Sequence, residues 1–144
     1  MSSSGAKAVT LANRRVARAE ALAEAFGSTT MRVAVGDLRS LGDEALLASV
    51  DVVVNATSIG LHGERFPRLA YQATRDGCLF FDLVYGRQTD FLTQAGRARR
   101  RTLDGAGMLL HQGAAAFTLW TGRRAPLGAM RAVLQRAARS GKKI

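Results

Sequence analysis

Asp51-Val52-Val53-Val54-Asn55 constrains the fold more than any other segment. Its apolar residues are consecutive, not alternating, and they are β-branched. A strand of that kind is expected to be covered on both faces, as in a parallel sheet flanked by helices. It runs directly into Ala56-Thr57-Ser58-Ile59-Gly60, a loop of small and hydroxylated residues. Cys78-Leu79-Phe80-Phe81-Asp82 is a second strand of the same type. Ala8-Val9-Thr10-Leu11-Ala12 and Met31 to Val35 are two more, and Thr102-Leu103 a short fifth.

Helical periodicity fills the intervals. Val16, Ala19, Leu22, Ala23 and Phe26 lie on one face of a helix over Arg15 to Phe26, which Gly27 stops. Short helices are expected over Asp43 to Ala48 and Thr89 to Ala98. Gly107 to Thr121 reads as a largely buried helix and Pro126 to Ser140 as an amphipathic one. Strands alternating with helices predict an α/β fold, Rossmann-like, with a mostly parallel sheet and flanking helices. The alternation is continuous over 1–144, and no boundary within the chain is expected.

Several classes are excluded by composition. The chain has 144 residues, enough for one domain with a sizeable core. No apolar run reaches the roughly 18 residues of a membrane helix, and the N-terminus lacks the pattern of a secretory signal. A single cysteine, Cys78, allows no internal disulfide and fits a reducing, cytoplasmic setting. With two histidines and no second cysteine, no metal site is expected. The formal net charge of +10 is nearly all arginine, since lysine stands only at Lys7, Lys142 and Lys143. Its densest run, Arg97 to Arg101, lacks interleaved aromatics, so it reads as a solvated helix end and turn and not as a nucleic-acid surface.

In open α/β sheets, ligands bind beyond the carboxyl ends of the strands. That rule selects Asn13 to Arg18, Asn55 to Gly60, Asp82 to Tyr85 and Asp104 to Gln112. In the first segment Arg14, Arg15 and Arg18 precede any acidic residue. An arginine after the second strand of a dinucleotide fold accommodates a 2′-phosphate, and guanidinium groups suit bidentate phosphate contacts. A basic first turn also opposes the helix dipole, so it calls for a reason such as a bound phosphate. In the last segment Gly105 and Gly107 permit close backbone approach at the start of a helix.

Together these segments resemble the C-terminal NADP-binding domain of the shikimate dehydrogenase family. Asn13-Arg14-Arg15-Val16-Ala17-Arg18-Ala19 is similar to its phosphate loop, Asn-Arg-Thr-x-x-Arg-Ala. Asn55 to Gly60 is similar to Asn-Ala-Thr-Ser-x-Gly, and Asp82-Leu83-Val84-Tyr85 to Asp-x-Val-Tyr. Asp104 to Gln112 resembles Asp-Gly-x-Gly-Met-Leu-x-x-Gln, and Phe117 to Gly122 resembles Phe-x-x-Trp-x-Gly. Arg15 stands where the family usually has Thr, and the loop after Tyr85 is one residue shorter.

The resemblance implies roles. Asn13, Arg14, Arg15 and Arg18 would hold the adenosine 2′-phosphate of NADP. Thr57 and Ser58 would lie along the cofactor, with Leu83 and Gly105 flanking the nicotinamide. Tyr85 and Gln112 would reach the hydroxyls of shikimate. The implied reaction is reversible hydride transfer between NADPH and 3-dehydroshikimate, a step of aromatic amino acid biosynthesis. Quinate in place of shikimate, or a non-catalytic nucleotide-binding remnant, are the alternatives.

The family's first βα unit, with its glycine-rich pyrophosphate loop, has no counterpart before Ala8. Nor does its substrate domain, which carries a catalytic Lys and Asp. A partial Rossmann domain is therefore expected, with no catalytic residue of its own and with self-association or a complementing N-terminal polypeptide as partner. Asp82, Tyr85, Asp104 and His111 are the remaining groups near the inferred site that could move a proton. Without the central first strand, the strands at Ala8 and Asp51 are expected either to pair directly or to leave a gap.

Overall fold

The computed structural model describes residues 5–26 and 31–140. Five strands form two parallel sheets. In the first, β1 (Ala8–Ala12) pairs with β2 (Arg32–Gly36), Ala8 opposite Arg32 and Ala12 opposite Gly36. In the second, β4 (Leu79–Asp82) lies between β3 (Val52–Asn55) and β5 (Arg101–Leu103). The helices are α1 (Val16–Phe26), α2 (Glu44–Ser49), α3 (Asp90–Arg97), α4 (Ala106–Thr121) and α5 (Leu127–Ser140). Every strand and helix expected from the sequence is present, with ends shifted by at most one residue. Two single-turn 3₁₀ segments, Leu38–Gly42 and Tyr71–Ala73, were not expected. The stop at Gly27 lies outside the described residues.

The chain divides into two compact units, although the sequence showed no boundary. Unit 1 comprises Met1–Ser49 and Pro67–Thr74, and unit 2 comprises Val50–Phe66 and Arg75–Ile144. The physical reason is the split sheet: β1 and β3 belong to different sheets, so direct pairing is not what the chain adopts.

Unit 1 is a βαβ unit. α1 starts after an Asx turn in which Asn13 Oδ1 accepts the Arg15 N–H at 3.0 Å. Ala19 is its one buried residue, while Phe26 is exposed.

Unit 2 has the denser core. Phe80 and Phe91 are fully buried with ring centroids 5.4 Å apart, and Phe66 packs on Phe91 at 4.7 Å. Leu92 and Ala95 of α3 close over β4. Thr89 caps α3, accepting the Leu92 N–H through its hydroxyl oxygen. The run Arg97 to Arg101 forms the end of α3 and a turn with Arg99 at φ 57°, before β5 begins. Arg100 departs from simple solvation: its guanidinium is nearly buried and donates to Asp76 at 2.6 Å.

Two expectations about cover are corrected. The central strand β4 has one face buried, at Phe80 and Asp82, and the other half-buried, at Leu79 and Phe81; Val52 and Val54 of β3 are each 50% exposed. Their consecutive valines suit two covered faces, but β3 is an edge strand whose Val52/Val54 face lies open. Likewise α4 is not largely buried. Only Leu110 and Ala114 are; Leu109, Ala116 and Phe117 are half-buried, and Met108, Leu119 and Trp120 are exposed.

A polar network ties the strand ends of unit 2 together. Asp82 and Asn55 are buried at paired positions of β4 and β3. Asn55 Nδ2 donates to Asp82 Oδ1 at 3.0 Å, the Val84 N–H donates to the same oxygen at 3.0 Å, and Thr89 Oγ1 donates to Oδ2 at 2.6 Å. Replacing Asp82 by Ala strands these three donors. The expected loss in a denaturant titration is roughly 3–5 kcal/mol, with Asp82→Asn falling between it and the wild type. A loss below about 1 kcal/mol for the alanine variant would show that the network carries little.

Candidate functional site

The segments selected from the sequence all sit at the carboxyl ends of strands. In unit 1 the first of them follows β1. The Asn13 N–H donates to Gly36 O at 3.2 Å, which fixes the chain where it leaves the sheet. Arg14, Arg15 and Arg18 are exposed, on the turn that opens α1 and on its first turn, and no acidic side chain stands in that turn. Three cations at the N-terminus of a helix make a site suited to a phosphate.

In unit 2 a cavity of about 860 Å³ opens beyond β3, β4 and β5. Thr57, Ser58 and Leu61 line it from the loop after β3, and Leu83, Val84, Tyr85, Gly86 and Arg87 from the segment after β4. Asp104, Ala106, Gly107, Leu110 and His111 supply a third wall, and Arg131, Leu134 and Gln135 of α5 a fourth. The volume lies in the ordinary range for small-ligand sites, and the lining combines an apolar wall with a few polar groups.

The buried network shapes this cavity. Asn55 Oδ1 accepts both the Thr57 N–H at 3.1 Å and the Thr57 hydroxyl at 2.7 Å, and Thr57 Oγ1 accepts the Ile59 N–H at 3.1 Å. The Thr57-Ser58 loop is thus held on β3 by a side chain that is itself held by Asp82. Farther along, Gly60 takes φ 98°, and a Cβ there would lie 3.1 Å from the Thr89 side chain. Glu64 Oε2 accepts the N–H groups of Gly60 and His62, each at 2.9 Å. Those backbone donors hold the Glu64 carboxyl below its ordinary pKa. Arg87 donates to Leu61 O, joining this loop to the segment after β4.

Of the residues expected to contact ligand, Thr57, Ser58, Leu83 and Tyr85 meet at this cavity. Gly105 is buried beneath its wall, with its N–H 3.3 Å from Val84 O. Gln112 is not among the lining residues; the neighbouring His111 is. Helical geometry explains this: Gly107, Leu110 and His111 share the cavity side of α4, and Gln112 is turned to the exposed opposite side. Asn13, Arg14, Arg15 and Arg18 belong to unit 1. Among the four groups able to move a proton, Tyr85, Asp104 and His111 line the cavity, and Asp82 does not. Its carboxylate is fully enclosed and occupied by three donors.

Sequence reasoning missed the α5 wall and the Asn55–Asp82–Thr89 network. Arg131, Leu134 and Gln135 recur at helical spacing, yet nothing in a helical repeat says that it faces a cavity. Asn55 and Asp82, by contrast, end consecutive apolar strands. A polar residue at that position is a readable sign of a buried hydrogen bond. Among the described residues no cluster of His, Cys, Asp or Glu could hold a metal ion, and no helix is long and apolar enough to cross a membrane.

Comparison with known proteins identifies the family. The family profile described as shikimate/quinate 5-dehydrogenase matches residues 1–104, and that of the shikimate 5′-dehydrogenase C-terminal domain matches residues 105–135. The NADP(+) shikimate dehydrogenase of Moorella thermoacetica is 39% identical over 95% of this chain and 48% of its own length. That of Halobacterium salinarum is 42% identical over 88% of this chain and 46% of its own. The chain therefore spans about half the length of the curated relatives it matches. Among solved structures, shikimate 5-dehydrogenase of Listeria monocytogenes, in complex with shikimate and NAD, has a TM-score of 0.79 at 28% identity, covering 89% of this chain and 47% of that one. Quinate dehydrogenase of Corynebacterium glutamicum, in complex with NAD, has a TM-score of 0.76 at 30% identity, covering 92% and 47%. The Thermus thermophilus shikimate 5-dehydrogenase, in complex with NADP(H) and shikimate, has a TM-score of 0.70 at 33% identity, covering 90% and 46%.

The cavity wall yields a direct test. A Cβ at Gly105 would lie 2.2 Å from Leu83 O, which is backbone and cannot swing aside. Gly105→Ala is expected to cost about 1–3 kcal/mol in chemical unfolding, although its φ of −74° suits any residue. An unchanged unfolding midpoint would mean that α4 is not seated against the segment after β4.

Proposed function

The chain belongs to the shikimate and quinate 5-dehydrogenase family, and on that premise we propose that it is the NADP-binding portion of a shikimate dehydrogenase. The observation that carries the reading is the cavity at which Thr57, Ser58, Leu83 and Tyr85 meet, at the carboxyl ends of β3 and β4. The residues fit the cofactor. Unit 1 offers three exposed arginines for the 2′-phosphate, with Asn13 shaping their turn. Unit 2 offers an apolar wall at Leu83, Val84 and Leu110, beside the close-packed backbone of Gly105, against which a nicotinamide ring can lie. Thr57 and Ser58 present hydroxyls along its edge.

When bound, the cofactor would give a hydride to the carbonyl carbon of the substrate or, in the reverse direction, accept one from the corresponding carbinol carbon. The chain's own residues position and shield. Leu83 and Leu110 keep water from one side of the reacting centre, where exclusion of solvent strengthens polar contacts. Tyr85 holds a substrate hydroxyl at the cavity, whereas Gln112, turned away from the cavity on α4, is not given a contact with the same substrate. Neither is given the proton-transfer step. By resemblance that step falls to the Lys–Asp pair of the family's substrate domain, and no residue of this chain is proposed as catalytic. The partners in this reading are shikimate or 3-dehydroshikimate and an N-terminal polypeptide of the family's type, in the cytoplasm.

Quinate is a second reading for the substrate, favoured by the likeness to the Corynebacterium glutamicum quinate dehydrogenase. A chimera with the first half of the Moorella thermoacetica enzyme ahead of this chain, assayed with both compounds, separates the two.

The cofactor assignment is tested on the chain itself by calorimetric titration with NADPH and NADH. Arg14→Ala and Arg15→Ala are each expected to weaken NADPH binding by about 1.5 kcal/mol, the low end for charged hydrogen bonds because both side chains are exposed. NADH binding should be unaltered. Equal losses for the two cofactors would overturn the assignment.

A further inference from the structure

Glu64 is exposed in the loop that follows β3, yet its carboxylate holds that loop in one shape. A single oxygen, Oε2, accepts the N–H groups of Gly60 and His62, each at 2.9 Å. Both donors belong to peptide groups that are engaged on their other side as well. The peptide joining Ile59 to Gly60 points its carbonyl at Asn55 Nδ2, which donates to it at 3.1 Å. The peptide joining Leu61 to His62 points its carbonyl at Arg87, whose guanidinium donates to it. Among the described residues no peptide is cis. A trans peptide is planar and rigid, with its N–H and C=O on opposite sides, so fixing one aims the other.

A continuous relay results. It runs from the buried Asp82 through Asn55 to the first peptide, through Glu64 to the second, and ends on Arg87. The second peptide stands between a carboxylate on its N–H side and a guanidinium on its C=O side. The two charges polarise it in the same sense, which strengthens both hydrogen bonds. Gly60 and Gly63, at φ 98° and 88°, let the backbone double back far enough for one oxygen to reach both N–H groups. Leu61 and Arg87, at the far end of the relay, line the cavity; Glu64 does not.

We propose that Glu64 is a positioning residue for the ligand cavity, acting through the Leu61–His62 peptide to seat Leu61 and Arg87 on its rim. The proposal rests on the reading of this cavity as a cofactor site and adds the residue that sets its edge. The seated guanidinium spends one donor on Leu61 O and keeps others, which suit an anionic group of the ligand such as a phosphate.

NADPH titration of the chain tests this. Glu64→Ala and Arg87→Ala should each weaken binding about fivefold, and the double variant should bind no worse than Arg87→Ala, because members of one relay do not add. Glu64→Gln keeps a carbonyl oxygen for the two N–H groups and should bind within about twofold of the parent. Losses that add in the double variant overturn the proposal, and so does a Gln variant as weak as the Ala variant. A drop of several degrees in the thermal midpoint of Glu64→Ala also overturns it, making Glu64 a staple of the fold. Amide hydrogen exchange reads the relay without any ligand. Arg87→Ala should speed exchange at His62 and leave Gly60 unchanged, whereas Glu64→Ala should speed both. Unchanged exchange at His62 in Arg87→Ala overturns the proposal. If exchange follows the expected pattern while the parent chain fails to bind NADPH, the relay stands and the cofactor reading falls.

Discussion

Asp82 is a carboxylate removed from water at the end of a central strand, and three donors from separate segments converge on it. Asn55 reaches it from β3, the Val84 N–H from the turn that follows β4, and Thr89 from the cap of α3. Burying such a group unpaired is expensive, so the three segments are held wherever they can satisfy it. Asn55 passes the constraint on through Thr57, and Thr89 passes it on through the first turn of α3 and the close approach of Gly60. The cavity wall beyond β3 and β4 is the outcome of this one hydrogen-bonded centre.

The apolar surface of the chain is arranged around the same architecture. β4 buries Phe80 and Asp82 because it has a strand on either side and α3 packed on it. β3 and α4 carry sequences equally suited to burial, yet each leaves an apolar face in solvent. Sequence and surroundings agree where unit 2 supplies its own neighbours and disagree where it does not.

Much of the fold was legible in the sequence. Consecutive β-branched residues at Val52 to Val54 and Phe80-Phe81 gave the strands, and the Ala19–Leu22–Phe26 repeat gave α1, because these patterns are local. The extent of cover was not legible. Hydropathy records what a segment tolerates, while exposure depends on which neighbours are present. The division into two units was hidden for the same reason, since strand pairing is a long-range property. At the site, Thr57, Ser58, Leu83 and Tyr85 were found because they follow strands that are neighbours in one sheet. Gln112 was placed by a motif alone; helical phase sets it on the opposite side of α4 from His111.

The central claim is that the cofactor proposed for this chain, NADP, lies in the cavity beyond β3 and β4. Backbone amide chemical shifts of the isotope-labelled chain, followed during titration with NADP+, test it most directly. The account predicts saturable shifts at Thr57, Ser58, Leu83 and Gly105, all with one dissociation constant. Shifts confined to the basic run Arg97 to Arg101, or absent from Leu83 and Gly105, would contradict it.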